Sequence, residues 1–122
     1  MNIEHIGIYA KDSDGLAKWY AKSLRLDEVR RIEKDGRPPV VFLKGTSEVV
    51  VEILPTSESA VARELSTPGF THLGIVVDDL DAEQARLAEL GVDMWGIRST
   101  SNGWKIGYFR DPEGNTLELI QR

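Results

Sequence analysis

The 122-residue chain carries 15 basic and 20 acidic residues for a net charge of −5, and its basic residues are dispersed apart from Arg30-Arg31, so the footprint of a nucleic-acid binder is absent. It has no cysteine, which removes disulfides, thiolate nucleophiles and zinc-finger chemistry and leaves His and carboxylate as the means of holding a metal. No charged-then-apolar leader precedes the first strand-like run and no apolar stretch approaches a membrane span of roughly 18 residues, so the expectation is one compact cytoplasmic body with small-molecule partners, no nucleic acid and no membrane.

In chain order, residues 3–9 alternate with the period of a strand, Ile6 and Ile8 on one side and Ile3, His5, Gly7 and Tyr9 on the other. Asp12, Ser13 and Asp14 are N-cap candidates for a helix in which Leu16, Trp19, Tyr20 and Leu24 follow helical spacing. Strands are expected at 27–33 and 39–44 around the turn signal Lys34-Asp35-Gly36-Arg37-Pro38, and a third at the valine-rich run Glu48 to Leu54, which Pro55 stops. Residues 56–68 are polar and bounded by prolines, and read as a linker with a short helix through Ser59–Leu65. The order then repeats: a strand at 70–77, a helix from Asp79 to Leu90 closed by Gly91, and strands near 92–98, 104–110 and 115–121. Asp111-Pro112-Glu113-Gly114-Asn115 is a tight turn whose acidic groups are expected in solvent. The fold class is therefore α+β, two tandem βαβββ modules at 1–55 and 69–122 around the linker 56–68, forming a cupped sheet.

The repeat also carries chemistry. His5-Ile6-Gly7-Ile8 recurs as His72-Leu73-Gly74-Ile75, and these are the only two histidines. Each is followed by a glutamate in a second matched pair of segments, Val50-Val51-Glu52-Ile53-Leu54 and Thr116-Leu117-Glu118-Leu119-Ile120. Strand alternation lets His5, Glu52, His72 and Glu118 face away from the helices while Ile6, Ile8, Val51, Ile53, Leu73, Ile75, Leu117 and Leu119 face them. A lone strand histidine is most often a packed residue, but two carboxylates on an interior face are costly to bury and repel one another without a cation between them. The four matched positions therefore point to a metal site. Two imidazoles and two carboxylates suit a divalent Ni, Co or Zn ion, with Fe or Mn next, better than calcium. Tyr9 and Trp104 could line the pocket, although aromatics in strands are usually core, and Trp19, Tyr20 and Trp95 read as packing residues.

On these residues, with Phe70-Thr71-His72-Leu73-Gly74-Ile75-Val76-Val77-Asp78-Asp79 and Phe109-Arg110-Asp111-Pro112-Glu113-Gly114-Asn115-Thr116-Leu117-Glu118-Leu119-Ile120, nearly the whole chain resembles the vicinal oxygen chelate superfamily of glyoxalases, bleomycin-resistance proteins and dioxygenases. The His, Glu, His, Glu order in a short chain is similar to the glyoxalase I (lactoylglutathione lyase) group. The resemblance implies His5, Glu52, His72 and Glu118 as metal ligands, Glu118 as the preferred catalytic base and Glu52 as its partner on the opposite face. Two positions depart from that group: its usual glutathione-binding Arg and Asn are replaced by Tyr9 and Thr56. Methylmalonyl-CoA epimerase resembles the same template with Gln in place of the first glutamate. Fosfomycin-type thiol transferases, with three ligands, and ring-cleaving dioxygenases, with longer chains, fit less well.

The expected activity is that of a metal-dependent lyase or isomerase, the metal acting as a Lewis acid on a small hydroxycarbonyl or thiohemiacetal that passes through an enediolate. The competing class is a non-catalytic binder of the bleomycin-resistance kind, which sequesters an antibiotic. Open-edged curved sheets and the resemblance together imply a homodimer, with the modules pairing within or between chains.

Overall fold

A computed structural model describes residues 1–122, and the chain divides into two compact units, Met1–Val61 and Ala62–Arg122. The first unit runs β1 (His5–Ala10), α1 (Ser13–Leu24), β2 (Asp27–Lys34), β3 (Arg37–Lys44) and β4 (Val50–Pro55). The second repeats the order with β5 (Leu73–Val76), α2 (Leu80–Glu89), β6 (Trp95–Ser99), β7 (Lys105–Arg110) and β8 (Thr116–Gln121). Each unit is a four-stranded mixed sheet, ordered β1-β4-β3-β2 and β5-β8-β7-β6, so the first and last strands of a unit pair in parallel and the rest run antiparallel. A parallel pair requires a long crossover, and the helix with two further strands supplies it. This is the expected α+β arrangement of two βαβββ modules.

Local chemistry explains the element boundaries. Asp12 caps α1 by accepting from the Gly15 backbone N–H at 2.9 Å, and Asp79 caps α2 by accepting from the Ala82 N–H at 3.0 Å. Helix α1 ends on Arg25 in the left-handed region, and Gly91 takes that conformation just after α2. One side chain ties each helix to its sheet: the Ser13 hydroxyl donates to the Pro39 carbonyl at 2.6 Å, and the Leu80 N–H donates to Gln121 Oε1 at 2.8 Å. The cores are counterparts. Leu16, Ala17 and Tyr20 of α1 are buried with Val41, Leu43, Val51 and Ile53, and Leu80 and Leu87 of α2 are buried with Phe109, Leu117 and Leu119.

Several sequence expectations change. Residues 59–65 form no helix; the stretch is irregular until a turn at 65–66, since without an apolar stripe to bury nothing repays the cost of helix nucleation. The β2–β3 turn is only Asp35-Gly36, with Gly36 at φ 73° and Lys34 paired to Arg37, so both prolines fall inside β3. Strand β5 begins at Leu73, which puts His72 just before it. Ile6, expected against the helix, is exposed because β1 is an edge strand and α1 lies chiefly over β3. Asp111 is buried instead of solvated: its Oδ1 accepts from the Glu113 and Asn115 backbone N–H groups, both at 2.9 Å, and its Oδ2 accepts from the Asn115 amide at 2.8 Å. A carboxylate satisfied by three donors within its own turn can be withdrawn from water.

Candidate metal half-sites

In the first unit, Gly7 is the parallel-ladder partner of Glu52, and His5 lies two residues earlier on the same strand face. The second unit repeats this with Gly74 beside Glu118 and His72 two residues before it. Neither glycine places a side chain over the glutamate. A Cβ on Gly7 would lie 3.9 Å from Glu52 Oε2, and one on Gly74 would lie 3.7 Å from Glu118 Oε2. Each carboxylate lies over its glycine and reaches toward the imidazole. His5 Nε2 stands 3.5 Å from Glu52 Oε2, and His72 Nε2 stands 3.2 Å from Glu118 Oε2.

These separations suit a shared cation. Ligand bonds of about 2.1 Å to a first-row metal place neighbouring donors about 3.0 Å apart at octahedral angles and about 3.4 Å at tetrahedral ones. Both pairs thus present a nitrogen and an oxygen at the separation of two neighbouring ligands, and a His–carboxylate set suits Ni, Co or Zn. No group of three or more His, Cys, Asp or Glu that could hold a metal is assembled in either unit; each brings together one His–Glu pair. The glutamates are the more sheltered members. Side-chain exposure is 20% for Glu52 and 14% for Glu118, against 50% for His5 and 32% for His72.

The groups behind the donors differ between the units. His5 Nδ1 is hydrogen-bonded to the Glu4 carboxylate, and that bond, with the negative charge it brings, holds the His5 pKa above its ordinary 6.5. At the matching place His72 Nδ1 meets the Thr71 hydroxyl at 2.7 Å. Both partners can fix the ring tautomer that offers Nε2 to a metal, by accepting from Nδ1–H. Facing the glutamates across the antiparallel ladder are Phe42, paired with Glu52, and Tyr108, paired with Glu118. The Tyr108 ring meets His72 edge-on at 5.7 Å and lies 6.1 Å from Trp95, whose other neighbour is the Arg110 guanidinium at 5.5 Å. Burial, followed by the charge and hydrogen bond of Glu118, raises the Tyr108 pKa against the opposing influence of Arg98.

All four predicted donors therefore fall into two facing pairs. Trp95, read as a packing residue, instead lies partly exposed on the Tyr108 side of its sheet and lines an open recess of about 390 Å³ with Glu64, Leu65, Ser66 and Arg110. The cause is that β6 is the edge strand of its sheet. Tyr9 is exposed, and Trp104, just before β7, lies under the Arg122 guanidinium at 4.6 Å. Sequence reasoning missed Glu4, Thr71, Tyr108 and Arg98. Adjacency to a histidine could have flagged the first two, and hairpin register could have flagged Tyr108.

No curated protein matches this chain. Among solved structures it is similar to a glyoxalase family protein from Enterococcus faecalis, at 26% identity and a TM-score of 0.79, over 98% of this chain and 97% of that one. It also shares its fold with a lactoylglutathione lyase from Agrobacterium tumefaciens (24% identity, TM-score 0.73, 98% and 92% covered). A third structure with this fold is TnmS3, an antibiotic-binding protein from Streptomyces sp. CB03234 (20% identity, TM-score 0.77, 99% and 95% covered). Residues 2–119 match the family that groups these architectures, and with the duplicated module and its paired donors the chain belongs to the Glyoxalase/Bleomycin resistance protein/Dioxygenase superfamily.

Proposed function

We propose that the protein is a metal-dependent lyase or isomerase of the glyoxalase I kind, acting on a small hydroxycarbonyl or thiohemiacetal. The observation that carries this reading is the facing His–Glu pair at metal-ligating spacing, present once in each unit. One half-site of each kind, brought together within a chain or in a homodimer, completes a set of two imidazoles and two carboxylates around one divalent Ni, Co or Zn ion. When bound, that ion would supply Lewis-acid polarisation of the substrate oxygens.

The remaining chemistry belongs to the chain. Glu118 removes the proton on the carbon next to the carbonyl and returns it to the neighbouring carbon, with Glu52 serving the opposite face. Tyr9 and Thr56 offer no guanidinium or carboxamide for glutathione, so the thiol portion, if the substrate has one, is a different one. A second reading, a small-molecule binder without turnover, draws on the open Trp95 recess and on the similarity to an antibiotic-binding protein.

Metal analysis of the purified protein, coupled to assays with methylglyoxal and a panel of thiols, separates the two. The lyase reading expects one divalent ion per pair of half-sites and deuterium exchange next to the substrate carbonyl. His5→Ala and His72→Ala should each lower occupancy. Stoichiometric metal in the double His variant removes the metal assignment, and metal-loaded protein without exchange on any substrate offered gives the lead to the binder.

A further inference from the structure

A single row of paired residues crosses the second sheet. Trp95 on β6 pairs with Tyr108 on β7, Tyr108 pairs with Glu118 on β8, and Glu118 pairs with Gly74 on β5. Directly paired residues share a sheet face, so the indole and the Glu118 carboxylate belong to one face, two strands or about 10 Å apart. Regular pairing stops beside Trp95: Gly96 takes φ 63°, and three steps from Trp95 to Arg98 match two from Tyr108 to Ile106, which makes a bulge. Trp95 thus ends the row on an edge strand, partly exposed.

Two turns build the recess at this end. Arg110, two residues after Tyr108 and so on the same face, lies over the indole at 5.5 Å and donates from Nη1 to the Gly114 carbonyl at 3.0 Å, which clamps it to the β7–β8 turn. The other wall is Glu64, Leu65 and Ser66. It is braced by the Thr67 N–H, which donates to the Glu64 carbonyl at 3.0 Å, and by Arg63 Nη2, which donates to the Pro68 carbonyl at 3.0 Å. The indole and the Gly114 carbonyl are both neutral, so neither compensates the Arg110 charge, and the rest of its donor fork can receive a carboxylate. Glu64 in the same lining disfavours the second negative charge of a phosphate.

We propose that the Trp95–Arg110 recess is a subsite for the carboxylate of an organic monoacid whose apolar body lies against Trp95 and Leu65 and whose other end reaches the His72–Glu118 pair, about 10 Å away. The matching row of the first unit is Arg30, Phe42, Glu52 and Gly7. There an arginine stands in the place of Trp95 and covers the Phe42 ring at 5.7 Å, so the acid end of the ligand is assigned to the second unit. The subsite stands on that unit's own geometry; that its ligand is the molecule turned over rests on the lyase reading above.

The chain has three tryptophans, so the indole N–H signals of a ¹H–¹⁵N spectrum report Trp95 separately from Trp19 and Trp104, and Trp95→Phe identifies its signal. Titrating the full chain with cinnamate should move the Trp95 signal and leave the other two in place. Cinnamamide, of the same shape without the charge, should bind about tenfold more weakly, the scale of one charge-assisted hydrogen bond at an exposed arginine. In Arg110→Gln the acid and the amide should bind alike. A Trp95 signal unmoved by cinnamate at millimolar concentration, equal affinity for acid and amide in the parent, or an acid preference that survives Arg110→Gln overturns the proposal. Turnover separates it from the lyase reading: the thiohemiacetal of methylglyoxal with a mercaptobenzoate should show a KM about tenfold below that with the matching mercaptobenzamide, at similar kcat. Equal KM values overturn the subsite and leave the lyase reading in place. Acid-dependent movement of the Trp95 signal in a protein that exchanges no substrate proton keeps the subsite and removes the lyase reading.

Discussion

The two units are the same structure built twice, and the contrast between them separates what duplication retained from what diverged. Both keep the His-x-Gly strand, the glutamate beside the glycine, the helix capped by aspartate and the parallel pairing of first and last strands. Core positions match as well: Leu43 pairs with Val51 and Phe109 with Leu117, and both are fully buried. The layer just behind the donors is where they part. Glu4 backs His5 and Phe42 faces Glu52, whereas Thr71 backs His72 and Tyr108 faces Glu118. The first unit thus sets a carboxylate beside its histidine and a hydrocarbon ring opposite its glutamate, and the second sets a hydroxyl beside its histidine and a phenol ring opposite its glutamate. Two donor pairs with the same spacing are in this way given unequal environments.

The largest expected effect tests that inequality in catalysis. Glu118→Gln keeps size and an oxygen donor but cannot accept a proton, and should cost roughly a hundred- to ten-thousandfold in turnover at equal metal occupancy. Glu52→Gln, measured on the same substrate, should cost less. Equal losses would make the half-sites interchangeable and erase the distinction drawn here.

A comparably large effect concerns the shared core. Phe109→Ala should destabilise the protein by about 3–5 kcal/mol and Leu43→Ala by about 2–5 kcal/mol, as measured by denaturant unfolding, because both side chains are fully enclosed. A loss below about 1 kcal/mol at either position would show that the two cores are not equivalent.

Smaller and more local is the titration of His5. Its pKa is raised by the hydrogen bond and charge of Glu4, so the ring stays protonated to higher pH than an ordinary histidine. Glu4→Gln should move the His5 midpoint back down toward 6.5 in an NMR titration and leave the His72 signals in place. No movement would mean that Glu4 does not set the charge on His5.

The smallest expected effect is confined to the first unit. Arg31 bonds Asp14 of α1 at 2.7 Å and Glu28 of β2 at 2.7 and 3.0 Å; it lowers the Glu28 pKa from an ordinary 4.5, and Lys18, 2.8 Å from Asp14, followed by Arg31 lowers that of Asp14 from an ordinary 3.8. Groups with depressed folded-state pKa values contribute stability above the unfolded values and lose it as pH falls through the folded ones. The contribution should be complete above about pH 4.5 and fade below it, with a small amplitude because the partners are partly exposed. Arg31→Met should flatten this acid limb of the stability curve, and an unchanged limb would count against the ion triad.

The sequence by itself determined the duplicated βαβββ order, narrowed the first helix N-cap to Asp12, Ser13 or Asp14, started the second helix at Asp79, and singled out His5, Glu52, His72 and Glu118 as matched positions of a repeat, because each rests on spacing along the chain: alternation along a strand, a cap at a helix start, the recurrence of a segment in the other half. Whatever depends on register between strands was decided by the tertiary structure. Arg98 and Trp95 are an odd number of residues apart and belong on opposite faces until the Gly96 bulge turns them to one, and nothing local in the sequence says that Gly96 takes up an extra residue instead of closing a turn. Tyr108 is ten residues from Glu118 in the chain and becomes its partner only when β7 and β8 pair. Asp111, which as an isolated acid belongs in water, is buried because its own turn folds three donors onto it.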